Sequence, residues 1–287
     1  MLKNKYIKLI RPKHWIKNLI IALPLILSQN LNLNSLFNFV LGFSSFSLLA
    51  SGGYILNDIR DVENDRLHLT KRLRPLASGV IDISIAFYLA VSLIIIAFFI
   101  SFSINKLALL ISFVYFITNY YYSIIGKALR FIDIILLSSF YIIRIFYGAI
   151  ICDVKITGWF IATITLAVLS LSVNKRFMEC LNSGMKDIPG RAYSAEDAGF
   201  LQIVMINFAM SSIVLLNIHA YFVLNITNSI FFVLLNLLAA SISLFYFDQT
   251  KNKSEDPVER ILKNKNLLIS LIFFVSIYVY EMIIKDK

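Results

Sequence analysis

The sequence predicts an all-α integral membrane protein with nine transmembrane helices and a cytoplasmic N-terminus. Three observations carry that prediction. Apolar residues fill 59% of the 287 positions and charged residues only 15%, against about 25% charged in a soluble domain. The apolar residues gather into runs long enough to cross a ~30 Å hydrocarbon core. The 27 Lys and Arg outnumber the 17 Asp and Glu by ten, and they segregate to alternate connections between those runs. Five prolines, ten glycines and two cysteines exclude a collagen-like or disordered chain and a disulfide scaffold.

The runs lie at 16–29, 35–56, 83–104, 107–125, 131–151, 157–174, 199–224, 228–247 and 266–284. The first is short and contains Pro24. A basic start followed by a short apolar run also describes a signal peptide, but Ser28-Gln29-Asn30-Leu31 offers no small-x-small cleavage site, so the run is read as retained. Lys3, Lys5, Lys8, Arg11, Lys13 and Lys17 precede it, and Arg60, Arg66, Lys71, Arg72 and Arg74 follow the second run. Lys127 and Arg130 follow the fourth, Lys175, Arg176, Lys186 and Arg191 the sixth, and Lys251, Lys253, Arg260, Lys263 and Lys265 the eighth. The opposite side receives only Lys106, Lys155, Lys285 and Lys287, and Arg144 lies within a run. An even number of spans would scramble this asymmetry, and the positive-inside rule places the basic side in the cytoplasm. The whole of 1–287 thus reads as one membrane domain. Cys152 and Cys180 fall on opposite sides, so they cannot pair, and both read as isolated buried thiols.

Outer connections such as Asn30–Asn34 and Asn225–Asn228 are short and nearly uncharged, whereas the inner connections at 57–82, 175–198 and 248–265 are long and mixed in charge. Long connections in a compact protein are commonly functional. The segment Asn57-Asp58-Ile59-Arg60-Asp61-Val62-Glu63-Asn64-Asp65 continues from the second run. On a continuing helix Asn57, Asp61 and Asp65 recur at i, i+4 and i+8, with Asp58 beside them. Carboxylates so spaced repel one another, and a divalent cation would offset the repulsion. Oxygen donors alone suit Mg²⁺ rather than Zn²⁺. The sequel Arg66, Lys71, Arg72 and Arg74 adds cations for phosphate, and together they describe a site that handles a diphosphate.

These residues carry a resemblance. The run N-D-x-x-D-x-x-x-D-R over Asn57–Arg66, followed by Lys71, Arg74-Pro75 and Ala77-Ser78-Gly79, resembles the first signature of the UbiA-type intramembrane prenyltransferase superfamily. That resemblance implies a nine-span helical bundle whose first two halves repeat each other, with an active-site cavity facing the cytoplasm. Aromatic-ring prenyltransferases of the superfamily carry a second aspartate-rich motif after span six. This chain has Lys175-Arg176-Phe177-Met178-Glu179 there instead. It is similar to the decaprenyl-phosphate phosphoribosyltransferase branch, on Arg11-Pro12-Lys13-His14-Trp15-Ile16-Lys17-Asn18, Arg144 with Gly148, Lys175-Arg176-x-x-Glu179 and Asp256-Pro257-Val258-Glu259. The branch implies transfer of 5-phosphoribose from phosphoribosyl pyrophosphate (PRPP) to a polyprenyl phosphate with Mg²⁺.

The resemblance implies Asp58, Asp61 and Asp65 as catalytic residues and Mg²⁺ ligands, joined by Asn57. Such a reaction must hold a diphosphate, a ribose 5-phosphate and a lipid phosphate, more anionic charge than one Mg²⁺ offsets, so cationic side chains must supply the rest. Lys17, Asn57, Arg66, Lys71, Arg74, Arg144, Lys175, Arg176, Glu179 and Arg191 are the expected substrate-binding residues. Arg144 stands out because a charge within a span is costly unless it faces a cavity or a partner. Asp133 lies eleven residues before it on the same run, three turns away and too far for contact within one helix. His219 reads as a hydrogen-bonded interhelical side chain, and Tyr120-Tyr121-Tyr122 as an interfacial belt. Two rivals stand beside this reading. A prenyltransferase joining an isoprenyl diphosphate to an aromatic ring requires a second aspartate pair. A transporter requires ionisable groups near the midplane, where only Arg144 and His219 fall.

Overall fold

Six helices of the computed structural model are long and apolar enough to cross a membrane, and each develops from one of the sequence's apolar runs. They are α3 (Leu33–Arg60), α5 (Ile83–Ile104), α6 (Lys106–Ile124), α7 (Ile132–Ile151), α8 (Gly158–Ser183) and α9 (Ala198–Ile218), the last running on through a π turn at His219–Val223. Shorter helices are α1 (Leu2–Ile10), α2 (Leu23–Leu27) and α4 (Val62–Leu67). Near the last two expected spans lie α10 (Ser229–Phe247), apolar over Ser229–Leu244, and α11 (Lys265–Lys285). The structure describes residues 2–27, 32–67, 71–183, 190–247 and 263–285, and among these there is no β-strand. His68, Lys186, Lys251, Lys253, Arg260 and the run Asp256–Glu259 lie outside the described residues.

The first expected span is not a straight helix. Pro12–Ala22 form a 3-10 helix of 11 residues, and α2 begins one residue before Pro24. Pro24 has no N–H to bond the carbonyl four residues back, and Leu23 N–H bonds the Ile20 carbonyl three back. Runs of 3-10 helix beyond three or four residues are uncommon, so tertiary contacts must hold this one. Trp15 Nε1 donates to Ser51 Oγ at 2.9 Å and Asn18 Nδ2 to Ser47 Oγ at 3.0 Å.

Contacts divide the chain into two compact units, 1–125 with 143–155 and 126–142 with 156–287, so α7 contributes to both. In the first unit α3 packs on α5 through small residues. A Cβ on Gly52 would lie 2.6 Å from Ile94 and 3.0 Å from the Ala90 carbonyl. Ser45 Oγ donates to the Ala97 carbonyl at 2.6 Å, and Ser101 hydrogen-bonds Ser45, Ser112 and Tyr147. Small and hydroxylated residues bring membrane helices together where lipid gives no hydrophobic drive. Side-chain caps start α3, α5 and α6: Asn32 accepts from Ser35 N–H, Asp82 from Ser84 N–H and Asn105 from Leu107 N–H. Below the C-terminus of α3, Leu9, Ile55, Val62, Leu76, Ile81 and Ala86 form one apolar cluster, which seats α1 and the 71–82 connection.

In the second unit α8 packs on α9, with Val173, Phe177, Met178, Leu201 and Met205 in its core. His219 Nδ1 and the Tyr278 hydroxyl share a hydrogen bond of 2.9 Å, the interhelical role expected of that histidine. Asn217 and Asn236 exchange two amide hydrogen bonds between α9 and α10, at 3.1 and 3.0 Å. Cys152 and Cys180 are buried thiols, and burial pushes the Cys152 thiol up to about 11.

Gly148 gives the fold its sharpest test. A Cβ there would come 2.1 Å from the Ile21 carbonyl oxygen, so only glycine lets the 3-10 segment lie against α7. Gly148→Ala should lower stability by roughly 1–3 kcal/mol through overpacking against main chain. A thermal unfolding midpoint equal to that of the unaltered protein in detergent would contradict this docking.

Candidate active site

The acidic segment sits where α3 ends. Asp61 leaves the helical conformation (φ −88°, ψ 7°), and α4 restarts at Val62. Main-chain bonds bridge the step, from Asp61 N–H to the Asn57 carbonyl at 2.9 Å and from Asp65 N–H to the Asp61 carbonyl at 2.8 Å. The single face expected from i, i+4, i+8 spacing is therefore divided. Asn57 Nδ2 donates to Asp61 Oδ2 at 3.1 Å, and Arg60 joins this pair, 3.2 Å from Asn57 Oδ1 and 3.4 Å from Asp61 Oδ1. Arg60 also donates to the Ser123 carbonyl at the end of α6.

Asp58 and Asp65 form the other group, two turns apart and buried. Arg74 Nη1 bridges them, 3.0 Å from Asp58 Oδ1 and 2.6 Å from Asp65 Oδ2. Arg11 Nη2 spans both Asp58 oxygens, at 2.7 and 2.6 Å, with its guanidinium 5.4 Å from the centre of the Tyr54 ring. The repulsion that pointed to a divalent cation is offset here by two arginines. The sequence reading placed Arg11 among the inner-side cations and in the Arg11–Asn18 motif, without naming a carboxylate partner; its place one residue before Pro12, where a helix must break, was the available signal. The Arg74-Pro75 and Ala77-Ser78-Gly79 motif builds the turn that delivers Arg74. Ser78 N–H bonds the Arg74 carbonyl, Ile81 N–H bonds the Pro75 carbonyl, and Gly79 takes φ +73°, a conformation open to glycine. Arg66 pairs with Glu63 at 2.9 Å and reaches the Ala77 carbonyl at 3.4 Å, while Lys71 lies on the 3-10 turn Lys71–Leu73.

Arg144 is buried in the first unit. Its Nε donates to Asn18 Oδ1 at 2.8 Å and its Nη2 to the Tyr115 hydroxyl at 3.0 Å. The guanidinium carbon lies 5.3 Å from the Phe46 ring centre and 5.0 Å from that of Tyr115. Aromatic faces and neutral acceptors thus surround a charge that the membrane would otherwise reject. Lys17 adjoins Asn18 on the 3-10 segment. Asn18 closes the Arg11–Asn18 motif of the sequence, but Tyr115 carried no signal, since a Tyr in an apolar run has many fates.

In the second unit Asp133 pairs with Arg176 at 2.5 Å, both side chains fully buried. Arg176 also pairs with Glu179, and Arg191 lies 3.6 Å from Glu179 while donating to the Lys127 carbonyl at 3.2 Å. The Tyr193 hydroxyl donates to Asp133 Oδ1 at 2.8 Å and accepts from Phe131 N–H at 2.8 Å. Burial pushes the Tyr193 phenol up. Lys175-Arg176-x-x-Glu179 therefore supplies an ion-pair network on α8, with Lys175 on the neighbouring position. Asp133→Ala should destabilise the protein by about 3–5 kcal/mol, because it leaves the Arg176 charge buried beside one fewer carboxylate. Asp133→Leu combined with Arg176→Met should recover most of that loss. Equal unfolding midpoints for the single and double variants would refute the pairing.

Every side-chain donor in Asn57–Asp65 that could reach a metal is a hard oxygen, the set Mg²⁺ prefers. Among the described residues no three His, Cys, Asp or Glu side chains converge as a metal group. The donor chemistry of Asn57, Asp58, Asp61 and Asp65 fits the ion; guanidinium groups lie against all three carboxylates, Arg11 and Arg74 on Asp58, Arg74 on Asp65 and Arg60 on Asp61.

Residues 18–276 match the UbiA prenyltransferase family. A decaprenyl-phosphate phosphoribosyltransferase of Corynebacterium glutamicum is 35% identical over 185 residues, 63% of this chain and 56% of that protein. The enzyme of the same description from Mycobacterium tuberculosis is 33% identical over 181 residues, 60% of this chain and 59% of that one. The match thus spans little more than half the length of these relatives. In fold, a UbiA homolog of Archaeoglobus fulgidus solved with GPP and Mg²⁺ superposes with a TM-score of 0.70 at 18% identity, over 97% of this chain and 99% of that one. The chain belongs to the UbiA prenyltransferase family.

Proposed function

We propose that the protein transfers 5-phosphoribose from PRPP to a polyprenyl phosphate, releasing pyrophosphate and forming a polyprenyl-phosphoryl-5-phosphoribose for cell-envelope glycan synthesis. The observation that carries the reading is that Asp58 and Asp65 of the Asn57–Asp65 signature gather with Arg11 and Arg74 in one ion-pair cluster at the end of α3. The relatives described as decaprenyl-phosphate phosphoribosyltransferases support the choice of donor and acceptor. The reading includes a multi-pass protein of the bacterial cytoplasmic membrane, an N-terminus and an active site on the cytoplasmic side, and nine spans within one membrane domain.

Asn57, Asp58, Asp61 and Asp65 would hold Mg²⁺, which when bound places positive charge on the departing pyrophosphate. Arg66, Lys71 and Arg74 hold pyrophosphate oxygens and take up their charge as the C1–O bond of ribose lengthens. Lys17 and Arg144 are assigned to phosphate groups of the two substrates. For Lys175, Arg176, Glu179 and Arg191 the assignment rests on the sequence motif. The acceptor phosphate attacks C1 from the face opposite the leaving group, inverting the anomeric carbon. An anionic phosphate needs no strong base to deprotonate it, which suits a sequence with three histidines.

Purified protein given labelled PRPP, Mg²⁺ and a polyprenyl phosphate should move label into the lipid fraction. An isoprenyl diphosphate with an aromatic acid should give no product, and the reverse pattern would replace this reading with a ring prenyltransferase. Asp61→Ala should cut transfer by roughly 100-fold or more with the unfolding midpoint unchanged, the scale of losing one preorganised electrostatic contact. Full activity in that variant would remove Asp61 from the site.

A further inference from the structure

The carboxylates at the end of α3 lie beneath the cations that neutralise them. The side chains of Asp58 and Asp65 are 3% and 5% exposed, whereas those of Arg11 and Arg74 are 21% and 30% exposed. Both Asp58 oxygens are taken by Arg11, and Asp58 Oδ1 and Asp65 Oδ2 by Arg74. A divalent cation needs the oxygens themselves, for Mg²⁺ at about 2.0–2.1 Å. To take an oxygen of Asp58, or Oδ2 of Asp65, it must move a guanidinium group, and that group then needs another anion.

We propose that Arg11 and Arg74 form an exchangeable clamp: they hold Asp58 and Asp65 until a diphosphate arrives with a divalent cation, then pass from the carboxylates to the diphosphate oxygens. Charge balance favours this joint entry. The cluster of two carboxylates and two guanidiniums is neutral. A dication alone would leave it with two positive charges, and a diphosphate alone with roughly three negative ones. Entering together they leave about one, in a partly buried setting where net charge is costly.

Both arginines stand on turns between helices rather than within one. Arg74 rides on the 71–82 connection, which turns on Gly79. Arg11 occupies the junction between α1 and the 3-10 segment with φ +57°, a left-handed conformation that costs a non-glycine residue energy. Its stack on Tyr54 offers the guanidinium a resting surface beside Asp58. The clamp makes Arg11 a phosphate-binding residue and makes the metal–diphosphate complex, not the free metal, the species that enters.

The test is Mn²⁺ binding to the full chain in detergent, with protein-bound Mn²⁺ read by electron paramagnetic resonance after equilibrium dialysis, with and without inorganic pyrophosphate. The unaltered protein should bind Mn²⁺ at least about tenfold more tightly when pyrophosphate is present, a difference of ~1.4 kcal/mol. Arg11→Gln and Arg74→Gln should each bind Mn²⁺ alone more tightly than the unaltered protein, with a smaller gain from pyrophosphate. Arg11→Lys, which keeps the charge, should remain close to the unaltered protein. Equal Mn²⁺ affinity with and without pyrophosphate overturns the clamp, and so does unchanged affinity in glutamine variants that melt normally. If a glutamine variant fails to fold, the comparison on the unaltered protein still decides.

The proposal rests on the diphosphate-donor reading above, and the two can fail separately. Pyrophosphate-dependent Mn²⁺ binding without transfer from PRPP would remove the ribose donor and leave the clamp. Transfer from PRPP with pyrophosphate-independent Mn²⁺ binding would do the reverse.

Discussion

Two carboxylates buried at the end of a membrane helix must be matched by cations, and the first unit is organised around that requirement. Asp58 and Asp65 cannot stay ionised at a few per cent exposure without partners, because desolvating each charge costs several kcal/mol even after relaxation. The partners come from opposite directions in the chain, Arg11 from before the first apolar run and Arg74 from the connection after α4. Their convergence requires α1 and the 71–82 connection to fold back onto the end of α3. The apolar cluster of Leu9, Ile55, Val62, Leu76 and Ile81 is the seat on which they do so. Lys5 Nζ, donating to the Val80 carbonyl at 3.1 Å, ties the two returning segments to each other.

The second unit meets the same requirement differently. There Asp133 and Arg176 are both fully buried, and the pair is closed by Tyr193 on one side and Glu179 on the other. That pair has no exposed member, whereas Arg11 and Arg74 lie between buried anions and solvent.

The helices were legible because their signal is redundant: some twenty apolar residues and a charge asymmetry point to the same spans. The acidic signature was legible as carboxylates followed by cations, and the structure joins Asp58 and Asp65 to Arg74 from that sequel. Its geometry was read as one face, whereas the side chains pair as Asp58 with Asp65, seven residues and two turns apart, and as Asn57 with Asp61, four residues apart. Arg144 was recognised as a charge needing company, but its partners Asn18 and Tyr115 lie 126 and 29 residues away in sequence. Asp133, set aside as too distant from Arg144 on its own helix, finds its cation on α8 instead.

The 3-10 segment is the element that sequence periodicity was least able to show, and its geometry has a simple origin. Trp15 and Asn18, three residues apart, bond Ser51 and Ser47, four residues apart on α3. Three residues of 3-10 helix rise about 6 Å at ~2.0 Å each. Four residues of α-helix also rise about 6 Å at ~1.5 Å each. The two helices therefore run in register only because their rises differ, and an α-helical segment would fall out of step within one turn. The extra rise also carries the chain farther. From Arg11 to Asn18 it spans about 14 Å as 3-10 helix, against about 10.5 Å as α-helix. That reach lets one strap hold Asp58 at one end and Arg144 at the other. The unfavourable hydrogen-bond geometry of a long 3-10 run is thus offset by the two buried charges it satisfies, which links the first apolar run to the same electrostatic requirement that shapes the rest of the unit.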